Sequence, residues 1–367
     1  MAIKKATEIN FAAALKQLKD SRATLSARTI GALTKANKKD LVAFAPVWID
    51  LPVERRRRAS RMMVELVEQD FKLDYEMLFR HFLNDEDAEV RVAGIEGLWE
   101  SEDAVLVRPL VGFLRSDPDA RARAAAADAL GRFLLLAEYG RLPDSHRALI
   151  GEALLATIRS ASDDLIVRCR AVESIAYWSE DVVKPIIDAA YEHAAAEMRA
   201  SAIAAMGRTA DAAWRKTVLD ELESPDARMR FEAARSCGEL ENREATRRLI
   251  ELLDDTDREV QSAAVTALGQ VGGKLAKNAL IEAAAGDDEV LSALATEAIQ
   301  ELDFANSAEF MLLDVDPLKS NGLVDDDDLD EEMGEREIKD DDEDLDWDDE
   351  DEDEDKDEKY GQDDEEE

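Results

Sequence analysis

The chain has 367 residues, with 46 Lys and Arg against 86 Asp and Glu, a formal net charge of −40, and only 5% aromatic residues. This composition excludes a collagen, a disulfide-stapled secreted scaffold and a membrane protein. Two cysteines, Cys169 and Cys237, are too few for a disulfide framework, and we expect a chain of the reducing cytoplasm. The first twenty residues hold no apolar signal core, and no apolar stretch is long enough to span a bilayer.

Residues 1–39 are predicted to form a basic, helical amino-terminal segment, followed by helices at 40–49 and 53–67. Residues 1–61 contain 14 Lys and Arg against 5 Asp and Glu. Four consecutive arginines in the second helix are candidate partner-binding residues: Arg55, Arg56, Arg57 and Arg58. Three interpretations stay open for this block: weak nucleic-acid binding, a docking place for acidic sequence, and a solvated helix face. The acidic sequence that follows argues against a nucleic-acid partner beyond weak contact here.

A repeat of about 31 residues follows and continues to about residue 304. Its register residue is an arginine in five copies, at Arg91, Arg123, Arg168, Arg199 and Arg230, and is replaced in two, at Gln261 and Leu291. The register residues lie 30 to 32 positions apart, except for one interval of 45 that holds an insertion at 138–146. Four positions earlier stands an aspartate in six of the seven copies, and Ala195 in the other: Asp87, Asp119, Asp164, Asp226, Asp257 and Asp287. This placement predicts helix N-caps.

Each predicted cap opens an amphipathic helix with small or apolar residues three, four and seven positions after the register residue, such as Leu130, Met206 and Leu268 at the seventh. Glycines at the eighth position, such as Gly131, are predicted to end these helices. A second helix precedes each capped one, and no alternating strand pattern appears. Because neither helix can bury its stripe alone, the sequence predicts an all-α fold, an α-solenoid of stacked antiparallel helix pairs over residues 40–306.

The pattern D-x-x-V-R-x-x-A-x-x-A-L-G, seen in the segment from Asp226 to Gly238, resembles the HEAT repeat. The short copies resemble the subgroup named after phycobilisome lyases. This resemblance implies a protein-binding scaffold, with residues 53–67 as a divergent eighth copy. It also implies a ladder between register arginines and cap aspartates of neighbouring copies, formed here by Asp87, Arg91, Asp119, Arg123, Asp164, Arg168, Arg199, Asp226, Arg230 and Asp257.

Residues capable of catalysis are sparse. The three histidines, His81, His146 and His193, stand far apart, and the His-Glu dipeptides of the HEAT-repeat deoxyhypusine hydroxylases do not occur. Cys169 and Cys237 fit small packing positions. We therefore predict no catalytic residue, no metal and no cofactor. A lyase or hydroxylase on this scaffold is the least favoured alternative, since a repeat type does not transmit an activity.

Two tryptophans are further partner-binding candidates. Trp178 stands at the end of the fourth predicted repeat helix, where packing between repeats is the stronger interpretation. Trp347 is a lone aromatic residue in an acidic run, with Leu345 two positions earlier, so an anchor on a basic apolar groove and chance composition are equal alternatives.

The carboxyl-terminal region is predicted to be a linker at 307–323, containing Pro317 and Gly322, and a disordered acidic tail at 324–367. Residues 321–367 hold 30 Asp and Glu against 4 Lys and Arg, a net charge of −26. Such a segment repels itself and buries too little apolar area to fold. Its charge also predicts a contact with the basic amino-terminal block, within one chain or between subunits.

These features favour a non-enzymatic scaffold or adaptor, in which the solenoid surface holds a protein partner and the polyanionic tail attracts basic partners. A chaperone-like holder of basic proteins, ribosomal or nucleic-acid-binding, is the alternative. The candidate contact positions lie five places after each register residue: Glu96, Asp128, Glu173, Ala204, Arg235, Thr266 and Thr296.

Overall fold

The computed structural model describes residues 9–313, with side chains described up to Phe304. All regular structure in this range is helical, as predicted. The α-helices are α1 (Phe11–Lys19), α2 (Ala27–Gly31), α3 (Lys38–Ile49), α4 (Val53–Gln69), α5 (Glu76–Phe82), α6 (Ala88–Glu96), α7 (Val107–Ser116), α8 (Ala120–Glu138), α9 (Asp144–Arg159), α10 (Leu165–Ile175), α11 (Val183–Tyr191), α12 (Ala196–Arg208), α13 (Arg215–Glu221), α14 (Ala227–Glu239), α15 (Thr246–Glu251), α16 (Arg258–Val271), α17 (Gly273–Ala284) and α18 (Glu289–Leu313).

The helices form successive pairs. We call the odd-numbered helices A helices and the even-numbered ones B helices. Every B helix packs against the next one along the chain, so that the B helices form one continuous row, the B row. The capped helix of each predicted repeat is the B helix. Because each pair packs on its neighbours in sequence order, the predicted α-solenoid is confirmed.

The predicted caps hold at most repeats. Asp87 and Asp257 each accept two backbone N–H groups of the following helix, while Asp119 and Asp226 each accept one. The last cap is shifted by one residue, because Asp288, not Asp287, accepts the N–H groups of Val290 and Leu291. Each carboxylate satisfies donors that have no partner within the helix.

The core is the predicted stripe of small and apolar residues, and Leu130, Met206 and Leu268 are fully buried. The prediction that glycines end the B helices is wrong at Gly131, since α8 continues to Glu138. A Cβ atom on Gly131 would lie 3.0 Å from the Cα of Ser174, and one on Gly207 would lie 2.8 Å from the Cα of Ser236. These glycines therefore let neighbouring B helices approach closely.

The amino-terminal segment belongs to the same core. Ala14, Leu18 and Ile30 are fully buried, and the Tyr75 hydroxyl donates to the carbonyl of Ile30 at 3.1 Å. The solenoid therefore begins before residue 40, with α1 and α2 as its first pair.

At the other end α18 continues to Leu313, past the boundary predicted at 306, because no Pro or Gly interrupts it. The tail at 324–367, including Trp347, lies outside the described residues. Among the helices of the described range, none has the length and apolar character needed to cross a membrane.

Candidate protein-binding surface

The register arginines form a ladder between repeats, but with partners other than the cap aspartates. Arg91 donates from Nε and Nη2 to the carboxylate of Asp117, both at 2.8 Å, and Arg230 donates in the same way to Asp255 at 2.7 and 2.8 Å. Each partner stands two residues before the next cap. The predicted pairing with the cap residues Asp119 and Asp257 is therefore wrong at these two rungs.

The rung formed by Arg123 differs from those of Arg91 and Arg230. Arg123 contacts Asp163 at 3.2 Å and the predicted Asp164 at 2.6 Å. Asp164 makes no side-chain bond to the start of its own helix and is free to accept the arginine. Here the pairing implied by the resemblance is present.

The same arginines also hold the turn before their own helix. The Nη1 atom of Arg91 donates to the carbonyls of Asp85 and Glu86, and that of Arg199 donates to the carbonyls of His193 and Ala194. Gln261 keeps this contact through its amide, 2.7 Å from the carbonyl of Asp255. The register residues therefore stabilise the turns between helices along one edge of the solenoid.

The ladder is interrupted at the third and fourth copies. Arg168 donates to the carbonyl of Ile158, and within the described residues neither Arg168 nor Arg199 has a carboxylate within ion-pair distance. Ala195 stands where the other six copies carry an aspartate, and His193 stands at the position of Asp117 and Asp255, which receive Arg91 and Arg230. In the middle of the solenoid, two successive repeats therefore lack the ion pair that joins a register arginine to the next repeat.

The arginine run on α4 is mostly committed to packing. Arg55 donates to the carbonyls of Leu18 and Gln17, at 2.7 and 2.9 Å. Arg56 lies 3.4 Å from Asp85, and Arg57 makes a two-bond ion pair with Asp87 at 2.7 and 3.0 Å. Only Arg58 is exposed and, within the described range, has no hydrogen bond or ion pair. Arg55, Arg56 and Arg57 therefore have partners within the chain, and their contact with another protein stays a prediction.

Trp178 also has a packing role. Its ring lies against α9, where a Cβ atom on Gly151 would be 2.7 Å from the indole. The side chain is half-buried, and the flat ring covers a helix that carries glycine at the point of contact. The packing interpretation fits this contact, and a contact of Trp178 with a partner stays a prediction. By contrast, Trp99 is 50% exposed at the end of its repeat.

The predicted contact positions divide into two groups. Glu96, Asp128, Thr266 and Thr296 are exposed on the B row, and Arg235 is half-buried. Glu173 and Ala204 are only 3% and 5% exposed. The solvent-facing side of the B row, which we call the B face, is therefore uneven at its centre.

A cluster of charged residues occupies that centre on α10, α12 and α14. We call it the central cluster: Arg170, Glu173, Tyr177, Arg208, Glu232, Arg235 and Glu239. Sequence periodicity singled out two of its members, Glu173 and Arg235, and missed the rest because they stand at other positions of the repeat.

Glu173 is the most deeply held member. Its Oε1 accepts from the Ser201 hydroxyl at 2.7 Å, and its Oε2 faces Arg170 and, at 3.7 Å, Arg208. On α14, Arg235 lies 3.2 Å from Glu232 and 3.6 Å from Glu239. The charges are thus fixed by one another rather than by solvent.

The cluster forms because α12 presents small residues between two charged helices. Ala200, Ala204 and Gly207 leave space above α12, and the carboxylate of Glu239 approaches the position that a Cβ on Gly207 would occupy. Burial raises the pKa values of Glu232 and Glu239 above the ordinary range, partly offset by Arg235 and Arg208. Three arginines and three carboxylates therefore lie together on the B face.

A second feature of the B face is acidic. Glu65 and Glu68 of α4 and Glu89 and Glu96 of α6 line a groove between these helices, together with Arg57, Arg61 and Arg121. Burial raises the pKa of Glu96, and the nearby charges of Glu68 and Asp128 raise it further. We call Glu65, Glu68, Glu96 and Asp128 the acidic groove. A cationic side chain placed in the acidic groove would stabilise the ionised form of these carboxylates.

The potentially reactive groups have structural surroundings. Burial raises the pKa of the Cys169 thiol, and that of Cys237 to about 12, so both stay protonated at neutral pH. Among residues 9–304, no three His, Cys, Asp or Glu side chains are grouped so that they could hold a metal ion. The central cluster and the acidic groove thus place charged side chains at fixed positions on the B face.

The sequence model of the HEAT-repeat family matches residues 75–149 and 215–300. These two segments are HEAT repeats, which confirms the resemblance found in the repeat motif. A comparison with curated protein sequences gives no match.

Several solved structures are similar to parts of the chain. The CpcE–CpcF complex of phycocyanin lyase from Nostoc sp. PCC7120 has 18% identity and a TM-score of 0.45, over 62% of this chain and 87% of that one. Human deoxyhypusine hydroxylase in complex with glycerol has 16% identity and a TM-score of 0.34, over 72% and 96%. The Escherichia coli protein YibA has 20% identity and a TM-score of 0.37, over 65% and 96%.

Proposed function

We propose that the chain is a non-enzymatic protein-binding scaffold or adaptor of the cytoplasm, whose B face holds a protein partner. The observation that supports this proposal is the central cluster, where ion pairs hold six charged side chains in place on the B face. Side chains already ordered lose little conformational entropy on binding.

The partner is expected to be basic where it meets the acidic groove. The arginines of the groove, Arg57, Arg61 and Arg121, pair with Asp87, Glu89 and Asp119. Within the described residues, the four carboxylates of the acidic groove have no ion pair. The pKa of Glu96 is raised by its partial burial against α4 and by the like charges of Glu68 and Asp128. A lysine or arginine of the partner would stabilise the charged form. The net charge of −26 over residues 321–367 would raise the encounter rate with such a partner in a salt-dependent way.

The test is capture of purified ribosomal proteins, a set of basic proteins, on immobilised full-length chain. The double variant Glu96→Gln/Asp128→Asn should lower retention of a captured protein at least tenfold. The matched control Glu152→Gln/Asp188→Asn removes two exposed carboxylates from the A helices α9 and α11 and should leave retention unchanged. Equal retention by both variants, or no capture by the unaltered chain, would overturn the proposal.

A chaperone-like holder of basic proteins is the second candidate, favoured by the charge density of the carboxyl-terminal sequence. A holder that works through diffuse charge would release its cargo between about 50 and 300 mM salt, whereas an adaptor with a shaped site would retain one partner. A chain ending at residue 320 separates the two. It should lose all capture if the tail is the holder, and keep salt-resistant capture if the B face is the site.

A further inference from the structure

The outward side of α3 is unlike that of the other A helices. The nine residues from Leu41 to Ile49 include no charged side chain. Phe44 and Trp48 are buried, whereas Val42 is 76% exposed and Ile49 is 69% exposed. Pro46 is exposed between them. Positions 42, 46 and 49 fall on one side of a helix, so these residues form a continuous apolar stripe, which we call the α3 stripe.

Other described A helices expose charged residues on the corresponding side. The solvent side of α7 carries Arg108 and Arg115, that of α11 carries Lys184 and Asp188, and that of α13 carries Lys216. A solvated helix face on this solenoid is therefore ordinarily charged. The α3 stripe departs from this pattern over about 10 Å, the rise of seven helical residues.

Two basic residues stand at one end of the stripe. Lys38 and Lys39 are exposed in the first turn of α3, where the carboxylate of Asp40 is engaged by the backbone N–H of the N-cap Asn37. Cations at the amino end of a helix oppose its dipole and lower its stability. Two lysines placed there favour an anionic group brought by a partner, since such a group would be attracted by both the lysines and the helix end.

The backbone of α3 adds an unpaired acceptor. Pro46 lies within the helix and has no N–H group, so the carbonyl of Val42 lacks its helical donor. This carbonyl lies at the centre of the stripe. A polar side chain of a docked segment could donate to it.

We propose that the α3 stripe docks an acidic amphipathic helix of a partner protein. The apolar side of that helix would cover Val42, Pro46 and Ile49, and its acidic residues would meet Lys38 and Lys39. Charge complementarity selects an acidic occupant here, whereas the acidic groove selects a basic one. The two surfaces would let one scaffold hold two partners of opposite charge. The α3 stripe does not depend on the B face for its function.

Fluorescence anisotropy with a labelled 18-residue helical peptide tests this proposal on the full-length chain. The peptide carries leucines on one side and glutamates elsewhere. One control peptide has the same residues in an order without an apolar side, and another has lysines in place of glutamates. We expect micromolar binding of the first peptide at about 50 mM salt, and binding at least tenfold weaker for both controls.

Variants locate the site. Val42→Glu/Ile49→Glu should weaken binding at least tenfold, and Lys38→Gln/Lys39→Gln should weaken it and remove the salt dependence that these two charges contribute. Val105→Glu alters another exposed apolar residue, 69% exposed, and should leave binding unchanged. The B-face variant Glu96→Gln/Asp128→Asn should also bind normally, so that failure here is distinguishable from failure of the proposed scaffold function.

Several outcomes would overturn the proposal. They are absence of peptide binding, equal binding of the lysine peptide, and unchanged binding by Val42→Glu/Ile49→Glu. A dimer in sedimentation that this variant converts to a monomer would assign the stripe to a second copy. Binding that appears only after removal of residues 1–8 would assign it to the chain's own amino-terminal residues.

Discussion

At the scale of single residues, the register arginines join the repeats. Arg230 reaches the carboxylate of Asp255 in the next repeat and the carbonyl of Ser224 in its own turn. Both partners of the ion pair are largely shielded, with side chains 14% and 7% exposed. Loss of one partner of such a pair is costly, because removal of the carboxylate leaves the shielded charge of the guanidinium without an ion-pair partner.

Asp255→Asn is therefore expected to lower the free energy of unfolding by about 2 kcal/mol at pH 7, measured by urea denaturation. Asp220→Asn provides the control. It removes a carboxylate that pairs with the exposed Lys216, and it should cost less than about 0.5 kcal/mol. Equal effects of the two substitutions would contradict the structural role of the ladder.

This contribution should depend on pH. The hydrogen bond from Arg230 lowers the pKa of Asp255 below its ordinary value of 3.8. A carboxyl group whose pKa is lower in the folded than in the unfolded state stabilises the folded state at every pH above its unfolded-state pKa. This stabilisation is lost as the pH falls through the folded-state pKa. The stability difference between the unaltered chain and Asp255→Asn should be constant near neutral pH and shrink below about pH 4. A difference that grows in acid would contradict this assignment.

At the scale of helices, the spacing of the B row depends on glycine. A methyl group on Gly131 would lie 2.7 Å from the hydroxyl oxygen and 3.0 Å from the Cα of Ser174, and backbone atoms cannot rotate away as a side chain can. Gly112, on the outward side of α7, has no atom within 4 Å of such a methyl group. The two glycines thus differ only in their surroundings, since both are helical.

We expect Gly131→Ala to destabilise the solenoid by about 1–3 kcal/mol through overpacking. Gly112→Ala should instead stabilise it by about 0.5–1 kcal/mol, because alanine is the better helix former. Thermal unfolding followed by circular dichroism would compare the two. A stabilising Gly131→Ala would mean that α8 and α10 can separate without cost.

At the scale of the whole solenoid, each helix pair is stabilised by its packing on the adjacent pairs. A central helix such as α14 is packed on both sides along the B row, by α12 and α16. The last described pair, α17 and α18, has a neighbouring pair on one side only within the described range, and Val290 and Phe304 are 59% and 77% exposed. In a one-dimensional stack, a terminal unit opens more easily than an internal one.

Hydrogen exchange measured by mass spectrometry should therefore show faster exchange for peptides from α18 than for peptides from α14. The amino-terminal end should be better protected than α18, because α1 buries Ala14 and Leu18 fully. Equal protection of α18 and α14 would indicate that the carboxyl-terminal end of the stack is covered.

The sequence by itself determined the features that depend on neighbouring residues in the chain. The 31-residue period, the cap aspartates such as Asp87 and the buried stripe residues such as Leu130 all follow from helical spacing and from the unmet donors of a first helical turn. These features were sufficient to predict the all-α solenoid and its HEAT repeats.

The tertiary structure alone decided which partners the charged residues have. Arg91 meets Asp117 rather than Asp119, and Glu173 is buried although its equivalents Glu96 and Asp128 are exposed. The α3 stripe emerged only when helix packing showed which apolar residues were left outside. The physical reason is that a repeat sets where a side chain stands on its own helix, whereas burial and ion pairing depend on the size and charge of residues brought from neighbouring repeats.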